Sequence, residues 1–223
     1  MHTDADVAVL VPMLGRPHRV RPLLDSLTAT APNTRVLFCV SPHDTQVHAA
    51  VDEAGRERIT VPYRPRGDYA RKIQAGYEHV DQPLLFLAAD DLRFHPGWWQ
   101  AAAAHLVPGV GVVGTNDMGN PRVIAGEHST HSLITRAYVD VFGGTADQRG
   151  QVLHDGYDHE YVDDELIGVA RARGAFRFAH AARVEHLHPN WRRDVPRDNL
   201  YRAQRQRMRR SRPLFEQRRL MWT

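Results

Sequence analysis

The stretch Leu84-Leu85-Phe86-Leu87-Ala88-Ala89-Asp90-Asp91 decides which fold this sequence predicts. Its first five residues form an uninterrupted apolar run, which is typical of a strand buried on both faces of a parallel sheet. Two adjacent aspartates follow almost at once. Because ligands of open parallel sheets bind outside the carboxyl ends of the strands, the pair stands where a ligand site is expected.

Strands and helices alternate on both sides of this stretch. The alternation predicts an α/β fold with a mostly parallel central sheet, flanked by helices and joined by right-handed crossovers. The predicted strands cover residues 7–12, 34–40, 59–62, 84–88, 110–114, 129–135 and 182–186. The main predicted helices cover residues 20–27, 46–54, 68–79 and 162–173.

The length of 223 residues allows one domain of this class and a small C-terminal extension. We place the domain at residues 1–190 and the extension at residues 191–223. The extension is rich in arginine and predicts a basic helical tail from residue 199 to 219, interrupted at Pro213. The formal net charge of the chain is only +3, but its distribution is uneven, because the stretch from Arg202 to Arg219 is densely basic.

No apolar run approaches the roughly 20 residues that a membrane span needs. The first residues lack the basic start and apolar stretch of a signal peptide. A single cysteine, Cys39, excludes an internal disulfide and lies in an apolar run typical of a core strand. These features favour a cytoplasmic protein.

The Asp90-Asp91 pair is the strongest candidate site. Two carboxylates at the edge of a core repel one another, so they need a compensating cation, and oxygen ligands suit Mg²⁺ or Mn²⁺. Such an ion bridges the phosphates of a nucleoside diphosphate and neutralises a departing group. The alternative is a helix cap beside a solvated carboxylate.

A second acidic group, Asp163-Asp164-Glu165, opens the predicted helix 162–173. One of these carboxylates is suited to accept a proton from an acceptor hydroxyl. The helix macrodipole favours acidic residues in a first turn and explains them equally well without any catalytic role.

Two histidines and one glycine-led helix complete the candidate groups. His186 and His188 alternate at a strand end and therefore point to one face, where either completes a metal site or serves the structure. A second helix is predicted to begin at Gly67 and Asp68, with Lys72 one helical turn later. Such an arrangement is able to hold a nucleotide. The sequence contains neither a P-loop nor a Gly-x-Gly-x-x-Gly after the first strand, which argues against a dinucleotide dehydrogenase.

The order of these groups resembles that of the Rossmann-like GT-A fold glycosyltransferases, especially the family-2-like group. The resemblance runs from about Val7 to Pro189 and is most marked over 67–99, with Phe-Leu-Ala-Ala-Asp-Asp followed by Phe-His-Pro-Gly-Trp-Trp. Small glycosyltransferase-like proteins of actinobacterial bacteriophages are also similar. The sequence departs from the family at Ala88-Ala89, where one familiar carboxylate is missing, and after the second strand, where Asp44 alone replaces an aspartate pair.

The resemblance implies a role for each matching residue. The donor nucleotide would be bound by Pro12, Arg16, Asp44, Asp68, Lys72 and Asp90. The metal ion, Mn²⁺ or Mg²⁺, would be bound by Asp91 and His186. Asp163 would act as the catalytic base, with Glu165 close by for acceptor binding.

The implied function is metal-dependent transfer of a sugar, with inversion, from a UDP- or GDP-sugar to an unidentified acceptor hydroxyl. Two alternatives stay open: a nucleotidyltransferase on a related α/β fold, and a module that binds nucleic acid through the Arg-rich tail. Trp98 and Trp99 are expected to pack in the core, with stacking on a sugar at the rim as the alternative.

Overall fold

The computed structural model describes residues 2–223, which form one eight-stranded sheet with helices on both faces. The strands are β1 (Val7–Met13), β2 (Arg35–Val40), β3 (Glu57–Thr60), β4 (Leu84–Leu87), β5 (Leu92–Phe94), β6 (Val112–Asn116), β7 (Ser132–Thr135) and β8 (Phe176–His186). The helices are α1 (Val20–Thr30), α2 (Thr45–Glu53), α3 (Asp68–His79), α4 (Trp98–Ala103), α5 (Pro121–Ile124), α6 (Arg136–Phe142), α7 (Val162–Ala172), α8 (Asn199–Arg202) and α9 (Gln204–Arg219). Short 3₁₀ turns occupy Asp4–Asp6 and Pro17–Arg19.

The strands are ordered β3-β2-β1-β4-β7-β6-β8-β5 across the sheet. The first four of these run parallel, and Val9 of β1 lies opposite Val36 of β2 and Phe86 of β4. β7 is antiparallel to both of its neighbours, β8 is parallel to β6, and β5 is antiparallel to β8. The predicted α/β class is confirmed; the parallel part is its N-terminal half, and the other half is mixed.

Strand β1 is covered on both faces, which explains its continuous apolar sequence. Val9 faces a cluster that contains residues of α1, and Leu10 faces a second cluster that contains Ile73 of α3. A Cβ at Gly76 would lie 3.1 Å from the Leu10 side chain, so the glycine allows α3 to approach β1 closely. Trp98 is fully buried against Phe86, as expected for a packing residue.

The second half of the chain departs from the predicted elements. β8 starts at Phe176, six residues before the predicted start, and β5 has no counterpart in the prediction. The reason for the first difference is that exposed residues interrupt the alternation of buried ones along β8. The missed β5 has only three residues, too few for a periodic signal.

The C-terminal tail packs on the domain through both polar and apolar side chains, the latter including Phe215. α9 continues through Pro213, so the predicted interruption at that residue is wrong. The helical structure is interrupted instead at Ala203, between α8 and α9. Beyond the proline, Arg218 donates to Glu165 of α7 at 2.6 Å and to Asp147 at 2.7 Å. Before the proline, the Ser211 hydroxyl accepts from the backbone N–H of Asp158 at 2.9 Å. α9 is therefore anchored on both sides of Pro213, which has no backbone N–H to donate. The division at residue 190 stays a prediction.

None of the helices in residues 2–223 combines the length and apolar composition needed to cross a bilayer.

The Arg218–Glu165 contact predicts a stability difference between two arginines of α9. Arg218→Ala leaves a buried carboxylate without its cation, so we expect a loss of about 3 kcal/mol in the free energy of unfolding. Arg212→Ala is the matched control: its pair with Glu216 is exposed and contributes about 0–1 kcal/mol. Urea unfolding followed by circular dichroism measures both, and equal losses in the two variants would contradict the assignment.

Candidate active site

A cleft of about 360 Å³ opens at the carboxyl ends of β1 and β4. Its walls also include the first turns of α3 and α7, the end of β8, and residues of the C-terminal tail. The predicted site residues that line it are Pro12, Arg16, Asp68, Lys72, Asp90, Asp91, Asp163 and His186. Segments up to about 170 residues apart therefore converge as the parallel topology requires.

Two predicted site residues, Asp44 and Glu165, lie outside the lining of the cleft. Asp44 accepts a hydrogen bond from the backbone N–H of Gly15 at 2.5 Å and so fixes the loop after β1. Glu165 is 1% exposed and accepts from Tyr157 at 2.7 Å as well as from Arg218. Both carboxylates therefore hold the scaffold around the site.

The Asp90-Asp91 pair is buried against a cation and opens onto the cleft. The Arg16 guanidinium donates to Asp90 at 2.9 Å and lies 3.7 Å from Asp91. Burial and the Asp91 charge raise the pKa of Asp90. Burial alone would raise the pKa of Asp91 too, but His186, with its Nε2 3.4 Å from Asp91 Oδ1, lowers it below the usual range. Asp91 therefore remains the ionised member of the pair.

The C-terminal tail closes over this pair. The Tyr201 hydroxyl donates to Asp91 Oδ2 at 2.6 Å, and the Arg16 guanidinium lies 4.1 Å from the centre of the Tyr201 ring. Arg16 also donates to Asp198, the N-cap of α8, at 2.7 Å. One arginine therefore links β1, the aspartate pair and the tail.

Asp68 and Lys72 connect the start of α3 to the end of β1. Lys72 is fully buried and donates to the Met13 carbonyl at 2.8 Å and to Asp68 at 2.7 Å. The second oxygen of Asp68, Oδ1, is buried without a partner among residues 2–223. Asp68 thus has a free acceptor oxygen where it lines the cleft.

Asp163 is held by a histidine. His128 is 3% exposed, and its Nε2 lies 3.0 Å from Asp163 Oδ2. Burial would raise the pKa of Asp163, but His128 lowers it. One ligand atom from each of His128, Asp163 and Asp164 falls within 4.8 Å of the others, a spacing that could hold a metal ion. Because Arg122 pairs with Asp164 at 2.9 Å, these carboxylates already have cationic partners.

His131 lies in the wall between the two carboxylate groups. Its Nδ1 lies 3.2 Å from the Leu87 carbonyl oxygen, which can only accept, so Nδ1 carries the hydrogen. Burial, with a smaller contribution from His186, lowers the pKa of His131 to about 3. The His131 imidazole is therefore neutral, and its buried Nε2 has no hydrogen-bond partner among residues 2–223.

The fold of the chain matches solved nucleotide-sugar enzymes. Glucosyl-3-phosphoglycerate synthase from Mycobacterium tuberculosis, in complex with Mn²⁺, UDP-glucose and phosphoglyceric acid, superposes with a TM-score of 0.62 at 13% identity, over 96% of this chain and 79% of that one. The chain has a GT-A fold. The mannosyltransferase PcManGT from Pyrobaculum calidifontis, with GDP-Man and Mn²⁺, gives a TM-score of 0.62 at 14% identity, over 91% of this chain and 60% of that one. Neither a protein-family model nor a curated protein sequence matches the chain.

The GT-A fold brings together several residues to which the sequence analysis gave no role: His128, His131, Trp191, Asp198 and Tyr201. The polar run 127–132 before a strand was the available signal for the two histidines. Tyr201 and Asp198 carried no local signal, because only the return of the tail places them there.

The His128–Asp163 pair predicts a pH dependence. Burial alone would lower the pKa of His128, but Asp163 and then Asp164 raise it above 6.5. Because the folded state holds this proton more tightly than the unfolded chain, the resulting stabilisation is complete below about pH 6.5 and is lost as pH rises through the folded-state pKa. We expect NMR titration to give a His128 midpoint above 6.5.

Asp163→Asn should lower that midpoint and leave the midpoint of His95, whose ring faces Glu185, unchanged. A His128 midpoint that does not respond to Asp163→Asn would show that the two side chains are not paired in solution.

Proposed function

We propose that this chain is a glycosyltransferase that moves a sugar from a nucleoside-diphosphate sugar, UDP- or GDP-linked, to an acceptor hydroxyl. The observation that carries the proposal is the presence of Asp91, His186 and Asp163 in one cleft of a GT-A fold. The structural neighbours are complexed with UDP-glucose or GDP-Man and with Mn²⁺, which supports the same donor class here. Membership of the family-2-like group, a phage origin and a cytoplasmic location stay predictions.

The residues at the tail-covered end fit a divalent ion. Asp91 offers a carboxylate that is kept ionised, and His186 offers an imidazole 3.4 Å away whose Nδ1 has no partner among residues 2–223. Carboxylate and imidazole together suit Mn²⁺. When bound, Mn²⁺ or Mg²⁺ would stabilise negative charge on the diphosphate.

On the donor side, Asp68 and Asp90 are suited to accept hydrogen bonds from the base and the ribose. Asp68 has the free oxygen described above, and Asp90 is held towards the cleft by Arg16. Lys72 keeps the Asp68 side chain in place. Pro12 lines the same wall, at the end of β1.

In the transfer step, the acceptor oxygen forms a bond to the anomeric carbon while the bond from that carbon to the phosphate oxygen breaks. Asp163 takes the proton of the attacking hydroxyl, and the nucleoside diphosphate leaves with the electron pair. His128 orients Asp163 and keeps it ionised. A base on the face opposite the leaving group gives inversion, which we include in the proposal.

Two isosteric variants test this assignment. Asp91→Asn should lose the thermal stabilisation that a UDP- or GDP-sugar gives in the presence of Mn²⁺, because the metal ligand is gone. Asp163→Asn should keep that stabilisation but transfer sugar about a hundredfold more slowly or worse, since only the base is removed. Donor turnover is measured as release of the nucleoside diphosphate.

Asp194→Asn is the control, because Asp194 is 67% exposed and pairs only with neighbouring Arg192. Full activity in the Asp163 variant, or donor binding that needs neither Mn²⁺ nor Asp91, would refute the roles proposed for these residues.

The same assay distinguishes the two alternatives. Release of pyrophosphate from UTP would indicate a nucleotidyltransferase, whereas release of UDP from a UDP-sugar supports sugar transfer. In a separate binding measurement, association with nucleic acid that depends steeply on salt would favour the second alternative, a module that binds nucleic acid through the Arg-rich tail. No contact in the cleft favours either alternative over sugar transfer.

A further inference from the structure

Trp191 contributes a partly exposed indole to the lining of the cleft. The indole lines the cleft and is 38% exposed, whereas Trp98 and Trp99 are buried in the core. Its backbone N–H donates to the His188 carbonyl at 3.0 Å, which ties it to the chain just after β8. An exposed indole beside a substrate cleft is a surface on which a ring can stack.

The indole packs on a loop, residues 117–120, whose conformation is held by hydrogen bonds to Asp117. A Cβ at Gly119 would lie 2.6 Å from Cβ and 2.8 Å from Cγ of Trp191, so the tryptophan packs directly on the glycine backbone. Asp117 holds the loop by accepting from the amides of Gly119 at 3.0 Å and Asn120 at 2.9 Å. Met118 is left-handed, with φ 62°, a conformation that such a loop must enforce.

The same loop extends to the catalytic side of the cleft. Three residues beyond Gly119, Arg122 pairs with Asp164 at 2.9 Å, and Asp164 adjoins Asp163. Trp191 therefore packs on one part of this loop, and Asp164, the neighbour of Asp163, pairs with another part of it.

The cations of the cleft are already paired. Among the described residues that line it, each lysine and arginine lies within 3.0 Å of a carboxylate: Arg16 of Asp90, Lys72 of Asp68, Arg122 of Asp164 and Arg207 of Glu160. The charge of a bound divalent ion would be balanced by the negative charge of the donor diphosphate. No positive charge of the lining is then left over to receive an acidic acceptor.

We infer that the acceptor is an uncharged, hydroxyl-rich molecule, a neutral saccharide, with one ring face on Trp191 and a hydroxyl directed to Asp163. The inference rests on the proposed function and narrows its substrate class. The C–H face of a sugar ring packs on the indole, and no ionic group has to be accommodated. Acidic acceptors of the phosphoglycerate type, seen in one structural neighbour, would place a negative charge among paired carboxylates.

The experiment compares acceptors in the presence of Mn²⁺ and a donor. The probes are methyl glycosides and disaccharides of glucose, galactose, mannose and N-acetylglucosamine, set against 3-phosphoglycerate and glucuronic acid. We expect transfer to members of the neutral set and none above hydrolysis to the acids. Trp191→Ala should raise KM for the best neutral acceptor about tenfold, and Trp191→Phe by less.

Metal-dependent hydrolysis of the donor should stay within about twofold of the wild-type rate in Trp222→Phe, because that indole lies outside the lining of the cleft. Trp222→Phe is the matched control, since Trp222 packs on Gly168 of α7 and lies outside the lining of the cleft. Saccharide-induced quenching of tryptophan fluorescence should survive in Trp222→Phe and disappear in Trp191→Phe.

Preferred transfer to the acids, no response to any neutral probe, or an unchanged KM in Trp191→Ala would overturn the inference. If the wild type neither binds nor hydrolyses any donor, the proposed function itself fails, and the donor controls separate that result from a wrong acceptor class.

Discussion

Two adjacent carboxylates at the buried end of β4 impose the constraint on which this structure depends. Asp90 and Asp91 cannot both remain ionised in the protein interior unless positive charge reaches them, and the strand itself supplies none. Positive charge comes from distant parts of the chain, from Arg16 after β1 and from His186 at the end of β8, and Tyr201 of the tail adds a hydrogen bond. The active-site geometry and the packing of these three segments therefore depend on each other.

This dependence explains why the C-terminal tail packs against the rest of the structure despite its basic sequence. Leu214 and Phe215 pack on the second core cluster, and polar contacts at specific points complete the attachment of the tail. Arg218 enters the interior to meet Glu165, and Tyr201 reaches Asp91. Both contacts are buried, where losing one partner leaves the other uncompensated. The tail is consequently held in one position, and that position covers the site.

Much of the fold followed from sequence, because the first four strands are apolar runs bounded by turns and β4 ends in carboxylates. Topology then placed Asp91, His186 and Asp163 in one cleft, as strand ends and a helix start predicted. Sequence could not separate a carboxylate that faces the cleft from one that faces the scaffold: Asp163 and Glu165 lie two residues apart on α7, yet only the first lines the cleft. Helical geometry turns them to different faces.

The unpredicted residues share a physical cause. Tyr201 and Trp191 act through contacts that depend on how the chain returns after β8, and periodicity carries no information about such a return. Trp191 also needs a partner that has no side chain, Gly119, and a lone glycine indicates only a turn. The histidines show the complementary effect. His128 and His186 each pair with one carboxylate while His131 stays neutral between them, so these histidines add positive charge only beside Asp163 and Asp91. Asp91 and Asp163 are thus kept ionised while the lysine and arginines of the described lining stay paired, and such a cleft suits an uncharged partner.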